Sequence, residues 1–180
     1  RHPSDAVKHG IGYLSEDRKR YGLTLDMDVE TNIVLASLRQ FLELLGIVKR
    51  SEIRATASRY VDALAIKTPG LQQKVKNLSG GNQQKVILGR ELLLNTPFVL
   101  LDQPTRGLDV GSIEYVHRQI LAMREAGRAV LLISADLGEL FRITDRILVL
   151  SRGRIVADLV TDPFEVDDER VRRHADTDDR

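Results

Sequence analysis

Two continuous apolar runs, Phe98 to Leu101 and Ala129 to Ile133, bracket a stretch of helical periodicity, and this order narrows the possible folds most. A strand that is apolar at every position belongs in a parallel sheet covered on both faces by helices. The first run ends in Asp102. Between the runs, Ser112 is placed to open a helix with Ile113, Val116, Ile120 and Leu121 on one face, and Gly127 stands where a C-cap glycine belongs. Strands alternating with helices predict an α/β fold.

The rest of the chain fits that frame. Gly10 to Ser15 reads as a further short buried strand, followed by the charged run Glu16 to Arg20. Asp28 can cap a helix running through Val29 and Ile33 towards Phe41, and Gly46 marks a break. Ser51 is a candidate N-cap for a helix carrying Ile53, Ala57, Tyr60, Val61 and Leu64, with Thr68-Pro69-Gly70 as its stop. Another helix is expected from Gly80 to Leu94. Asp136 and Glu139 have capping-box spacing, and Arg152-Gly153 joins two short apolar segments as a hairpin. The mostly helical stretch 28–77 reads as a subdomain inserted into a domain spanning 1–160. From Thr161 onward, eight acids and four arginines with few apolar residues predict a solvated tail.

Composition bounds the function. The chain has 180 residues, 42% hydrophobic and 29% charged, with a formal net charge of +1. That near-neutral balance removes the electrostatic case for a general nucleic-acid binder. Cysteine is absent, which excludes disulfides and cysteine metal sites. No apolar run approaches the roughly 20 residues that span a bilayer, so a membrane role would go through a partner. The chain starts at Arg1 with no signal-like segment, and is read as beginning inside a longer protein. His2, His9, His117 and His174 lack metal-ligand spacing.

The chemically richest segment is Leu78-Ser79-Gly80-Gly81-Asn82-Gln83-Gln84-Lys85, at the predicted helix start. Two glycines allow close backbone approach, and the Ser79 hydroxyl and first-turn N–H groups can face one anion. Ser-Gly-Gly alone is more often a capped turn; the eight-residue string is far more specific. Downstream, the strand ending in Asp102 is followed by Gln103-Pro104-Thr105-Arg106-Gly107-Leu108-Asp109-Val110-Gly111.

In this order the three segments resemble the signature motif, Walker B strand and D-loop of ABC ATPases, over about Arg1 to Leu159. The resemblance implies a P-loop NTPase-type α/β domain with a mixed sheet and a helical subdomain. It leans to the second ATPase domain of tandem monosaccharide importers of the ribose type, through Gly12 to Lys19, Glu30-Thr31-Asn32 and Lys67-Thr68-Pro69. The stretch Gln103 to Tyr115 looks more like nucleoside importers. What the resemblance implies for the site is that Leu78, Ser79, Gly80, Gly81, Asn82 and Gln83 face nucleotide, while Gly107, Leu108 and Asp109 meet a partner domain. Asp102 would hold Mg²⁺ through water, with Gln103 at the catalytic position. ATP and Mg²⁺ are the implied cofactors. The implied partners are a second ABC ATPase domain, integral-membrane permease subunits and, indirectly, an extracytoplasmic solute-binding protein. The implied place is peripheral, at the cytoplasmic face of the plasma membrane.

Departures from the family pattern matter as much. None of the thirteen glycines is followed by lysine, so no G-x-x-x-x-G-K-[ST] phosphate loop is present, and truncation before residue 1 would explain this. Gln103 stands where the family has a catalytic glutamate, and an amide is a far poorer proton acceptor than a carboxylate. Ala135 occupies the switch-histidine position, and Glu16 the Q-loop glutamine position. Together they describe a degenerate site that can still complete its partner's. A nucleoside-importing ATPase and a fragment without function of its own are the alternatives. A chromosome-maintenance ATPase fits less well, since the insertion lacks sustained heptads.

Overall fold

The computed structural model of the chain describes residues 2–43 and 46–161. They form two compact units that divide after Leu131. The charged tail, from residue 162 on, lies outside the described residues, as does Arg1.

The first unit opens with α1 (Pro3–Lys8), a helix the sequence reading did not anticipate. His2 caps it, Pro3 sets its first position, and the Asp5 carboxylate accepts the His2 N–H at 2.9 Å. β1 (Ile11–Leu14) then pairs in parallel with β2 (Phe98–Asp102), Ile11 opposite Phe98 and Leu14 opposite Leu101. With β3 (Ala129–Ile133) they form a sheet of order β1-β2-β3, both apolar runs being strands as predicted. Burial corrects one expectation. Ile11, Tyr13, Leu131 and Ile133 are all exposed, so β1 and β3 are covered on alternate residues at most. An apolar run shows what a strand tolerates, whereas coverage depends on layers elsewhere. Both are outer strands of this sheet, and the central β2 hides Val99 and Leu101 completely.

Asp17 caps a short helical turn, Arg18–Gly22, where the sequence suggested a solvated loop. The Asp28 carboxylate accepts the Thr31 N–H at 2.8 Å and starts α2 (Val29–Val34). From Leu35 to Phe41 the helix tightens into a 3-10 turn, so the α-helix is shorter than expected. Buried Asn32 fixes the preceding strap: its amide donates to the Thr24 and Asp28 carbonyls, and its Oδ1 accepts the Thr24 N–H. α3 (Arg50–Ala63) begins with Lys49, not Ser51, in the N-cap position. It ends before Thr68-Pro69-Gly70 because Ala65 turns left-handed at φ 46° and the Ile66 N–H reaches the Val61 carbonyl at 2.9 Å. That Schellman-type closure needs no proline or glycine in the chain.

α4 (Gly80–Leu94) has the predicted bounds, from the Ser79 cap to left-handed Asn95. It runs through the middle of the unit, with Val86, Ile87 and Leu88 inaccessible. Truncating any of the three to alanine is expected to cost about 2–5 kcal/mol or less, by side-chain size. Gly89 lets α4 lie against α3's end, since a Cβ there would sit 3.1 Å from Leu64 Cδ1. α5 (Val110–Glu125) is capped by Asp109; Ser112, the expected cap, lies in the first turn. The helix closes at Gly127, φ 80°, as predicted.

In the second unit, the Asp136 carboxylate accepts the Glu139 N–H at 3.2 Å to cap α6 (Leu137–Ile143). β4 (Arg146–Ser151) and β5 (Arg154–Val160) pair antiparallel around Arg152 and Gly153, both at positive φ as a type I′ hairpin turn requires. Phe141, Ile147 and Leu159 form its small core.

Candidate functional site

The N-terminus of α4 and the N-terminus of α5 meet at a glycine contact. Ser79 sits at the N-cap with extended backbone, and its hydroxyl accepts from the Asn82 side-chain amide at 2.9 Å. Asn82 in turn accepts the Lys67 N–H at 2.8 Å. The first N–H groups of an α-helix have no intrahelical partner. Ser79 takes up that of Asn82, leaving those of Gly80 and Gly81 without a partner inside the helix.

Gly81 packs directly on α5: a Cβ at that position would lie 2.4 Å from Ser112 Oγ and 3.3 Å from Asp109 Oδ2. Ser112, through its hydroxyl and then its backbone N–H, holds the Asp109 carboxyl below its usual range. Gly80 faces the Arg18 guanidinium, whose Nη2 would lie 3.0 Å from an added Cβ. Arg18 Nη1 donates to the Arg106 carbonyl at 3.0 Å, and the Arg106 guanidinium pairs with the Glu16 carboxylate. Glu16, Asp17, Arg18, Lys19, Arg106 and Gly107 line a polar cleft of about 490 Å³. Gly107 has φ 69°, a left-handed turn. Leu108 follows it, its N–H bonded to the Thr105 carbonyl at 3.2 Å.

The predicted site residues thus divide. Ser79, Gly80, Gly81, Gly107 and Asp109 gather on one face together with Glu16. Leu78 lies half-buried just before the cap. Gln83 turns away, buried, its amide donating to the Val75 carbonyl at 3.1 Å, so its side chain serves the preceding loop. Asp102 stands half-buried at the end of β2, where the Tyr13 hydroxyl approaches Oδ2 at 3.3 Å. Gln103 follows in a left-handed conformation, φ 48°. Ala135 is an exposed residue of the second unit, in the turn that Ser134 closes on the Asp136 N–H at 3.0 Å.

Three residues were missed by sequence reasoning. Arg18 is half-buried and bonded, which corrects its assignment to a solvated charge run. Ser112 braces Asp109. Glu91, only 3% exposed on α4, lies beside β1 and receives the Arg90 Nε–H at 3.2 Å. Burial pushes its carboxyl up, while Arg90 and the Tyr13 N–H pull the other way. Gly12 makes room here: a Cβ would lie 2.6 Å from the Thr96 hydroxyl and 3.1 Å from Glu91 Oε2. The Gly12 and Gly107 positions were the available signals, since each adjoins a chemically rich segment.

Among the described residues no group of three or more acidic or histidine side chains is placed to cage a metal. No helix among them is long and apolar enough to cross a membrane. Burial lowers the pKa of Lys85, reinforced by Lys67 and partly offset by Asp109; its ammonium lies 4.5 Å from the Tyr115 ring centroid.

Comparison with known proteins agrees with this architecture. The family model described as ABC transporter matches residues 2–106, and the chain belongs to that family. Over 159 residues it is 45% identical to a Burkholderia lata import ATP-binding protein whose name proposes ribose, galactose or methyl galactoside as cargo, covering 88% of this chain and 31% of that protein. It is 44% identical to the ribose import ATP-binding protein RbsA of a Chelativorans species, covering 95% of this chain and 33% of the relative. The chain therefore spans about a third of the length of the curated relatives it matches. Among solved structures, the ATP-binding cassette MJ1267 of an ABC transporter superposes with a TM-score of 0.70 at 21% identity, covering 89% of this chain and 65% of the other. The cassette MJ0796, a dimer bound to ADP and Pi, gives 0.70 at 22% identity, covering 91% of this chain and 69% of the other. Both likenesses concern the fold.

Proposed function

We propose that the chain is part of the energy-coupling ATPase of an ABC importer for a monosaccharide, and that it completes a composite ATP site with a second ATPase domain. The observation that carries this reading is the Ser79-capped α4 terminus, held glycine-to-side-chain against Asp109 and Ser112. A helix terminus whose first N–H groups have no partner within the helix suits a terminal phosphate presented by another domain. The relatives named for ribose and galactose import support the cargo class.

Binding and positioning are what these residues contribute. Gly80 and Gly81 give backbone donors to the phosphate, Asn82 keeps the Ser79 hydroxyl oriented, and Asp109 and Gly107 shape the facing edge. Mg²⁺ would be held at Asp102 through water. The fit is adequate because Mg²⁺ keeps most of its hydration shell and takes one or two carboxylates plus phosphate. When bound, it would neutralise developing phosphate charge. Gln103 can orient water without accepting its proton, so catalysis would fall to the partner's site. The segment 28–77 would dock on permease loops at the cytoplasmic face of the membrane, and a solute-binding protein would deliver cargo from the other side.

The test compares Ser79→Arg with Gln103→Ala in the same membrane preparation. The arginine blocks phosphate approach yet sits at an exposed cap, whose loss costs about 1 kcal/mol. Ser79→Arg is expected to abolish most ATP-driven uptake, and Gln103→Ala to change it little. A larger loss for Gln103→Ala would make this half the working catalytic site. The Gln103–Tyr115 stretch favours a nucleoside as the other cargo, and uptake of labelled ribose against labelled nucleoside decides between them.

A further inference from the structure

We propose that Arg18 is a positioning residue: with Glu16 it clasps the loop after β2 to the loop after β1, and thereby places Gly107 and Asp109 against Gly80 and Gly81. The inference rests on the composite-site reading above and assigns a residue that holds that face together.

Arg106 is gripped twice. Arg18 takes its backbone carbonyl at 3.0 Å across 88 positions of sequence, and Glu16 takes its side chain. One residue of the loop after β2 is thus fixed by two residues of the loop after β1. The Arg18 bond fixes the Arg106 carbonyl, and the exposed Glu16 pair adds a second tie through the side chain.

The same guanidinium reaches across to α4. Its Nη2 would lie 3.0 Å from a Cβ at Gly80 and 3.9 Å from one at Gly107. A side chain at Gly80 would press on that planar group, and Gly107 lies at ordinary contact distance from it, so Arg18 stands between two segments that must be in register for one phosphate to meet both.

Arg18 is itself held. The Asp17 carboxylate accepts the Arg20 N–H at 3.0 Å and winds the turn, while Arg90 of α4 donates to the Gly22 carbonyl at its other end. Lys19 and Arg20 stay exposed, so a solvated run describes them and not their neighbour. A lysine at 18 would supply one point charge where the arginine supplies a flat fork.

Amide hydrogen exchange on the full chain within its assembled transporter tests the clasp, using Arg18→Ala, Arg18→Lys, Glu16→Gln and the control Lys19→Ala. Loss of one charge-assisted bond should speed exchange at 103–109 and 79–82 about tenfold in Arg18→Ala. Lysine should rescue this partly, Glu16→Gln should give a smaller effect confined to 103–107, and Lys19→Ala should give none. In turnover assays Arg18→Ala should lower kcat while leaving the KM for ATP near its original value. Unchanged exchange at 103–109 in Arg18→Ala overturns the clasp, even if Ser79→Arg abolishes uptake and the composite site stands. Intact uptake in Ser79→Arg removes the composite site and leaves the exchange result to judge the clasp. If Arg18→Ala unfolds throughout, seen as fast exchange in the 146–160 hairpin, Arg18→Lys and Glu16→Gln decide: wild-type exchange in both overturns the proposal.

Discussion

Ser112 meets Asp109 twice, giving its backbone N–H to Oδ1 at 2.9 Å and its hydroxyl to Oδ2 at 2.8 Å, and Gly81 lies against the resulting pair. Gly81→Ala would force the hydroxyl off the carboxylate, because the new methyl would stand 2.4 Å from Ser112 Oγ. Overpacking of this kind costs about 1–3 kcal/mol. The loss should shrink clearly in a Ser112→Gly background, a coupling that a double-mutant cycle by urea denaturation measures. Equal losses in both backgrounds would show that the contact does not constrain the helix termini.

The 180 residues by themselves should not turn over ATP. They contain no G-x-x-x-x-G-K-[ST] loop to cradle the β- and γ-phosphates, and Gln103 is a poor base. The assay is phosphate release by the purified chain with and without Mg²⁺. Mg²⁺-dependent turnover abolished by Asp102→Ala would falsify the expectation.

Glu91 should make stability depend on pH. Burial raises its folded-state pKa above the ordinary 4.5, so the folded state holds the proton more tightly than the unfolded chain. The associated stability is complete below the unfolded value and is lost as pH rises through the folded one. Glu91→Gln keeps an oxygen for the Tyr13 N–H and cannot ionise. Relative to wild type it should gain stability between pH 4 and pH 7, as read from urea midpoints. A constant offset across that range would mean that the Glu91 pKa is the same in the folded and the unfolded chain.

Contact with the permease should map to segment 28–76. Met27, Leu35, Leu38, Ile47 and Val48 are exposed apolar residues in or beside it. Single cysteines placed there should cross-link to the membrane subunit in intact transporter, since the chain carries no native cysteine to compete. Cross-links arising only from cysteines on α5 would move the docking face.

Elements with local, one-sided signals were legible in the sequence. α4 has a serine cap at one end and an asparagine able to turn left-handed at the other, and β2 is an unbroken apolar run. The caps of α3 and α5 were misplaced because serine's preference for the cap was taken as decisive, whereas Lys49 and Asp109 hold the caps and Ser51 and Ser112 lie in the first turns. The end of α3 was invisible, since alanine seldom turns left-handed and only the surrounding hydrogen bonds hold Ala65 there. At the site, the glycine and serine positions were readable from the motif. Arg18 was not, because a charge run looks solvated until its bond to the distant Arg106 carbonyl is known.

The left-handed backbone at Gln103 has an evolutionary consequence. A side chain there bears about 1–2 kcal/mol that glycine would relieve. Drift towards glycine is therefore downhill in stability, whereas exchange of amide for carboxylate leaves the backbone cost untouched. Glutamine and glutamate codons differ by a single base. If this half of the ATPase is dormant, its dormancy is shallow: a proton-accepting side chain at residue 103 asks for no backbone conformation that glutamine does not already adopt.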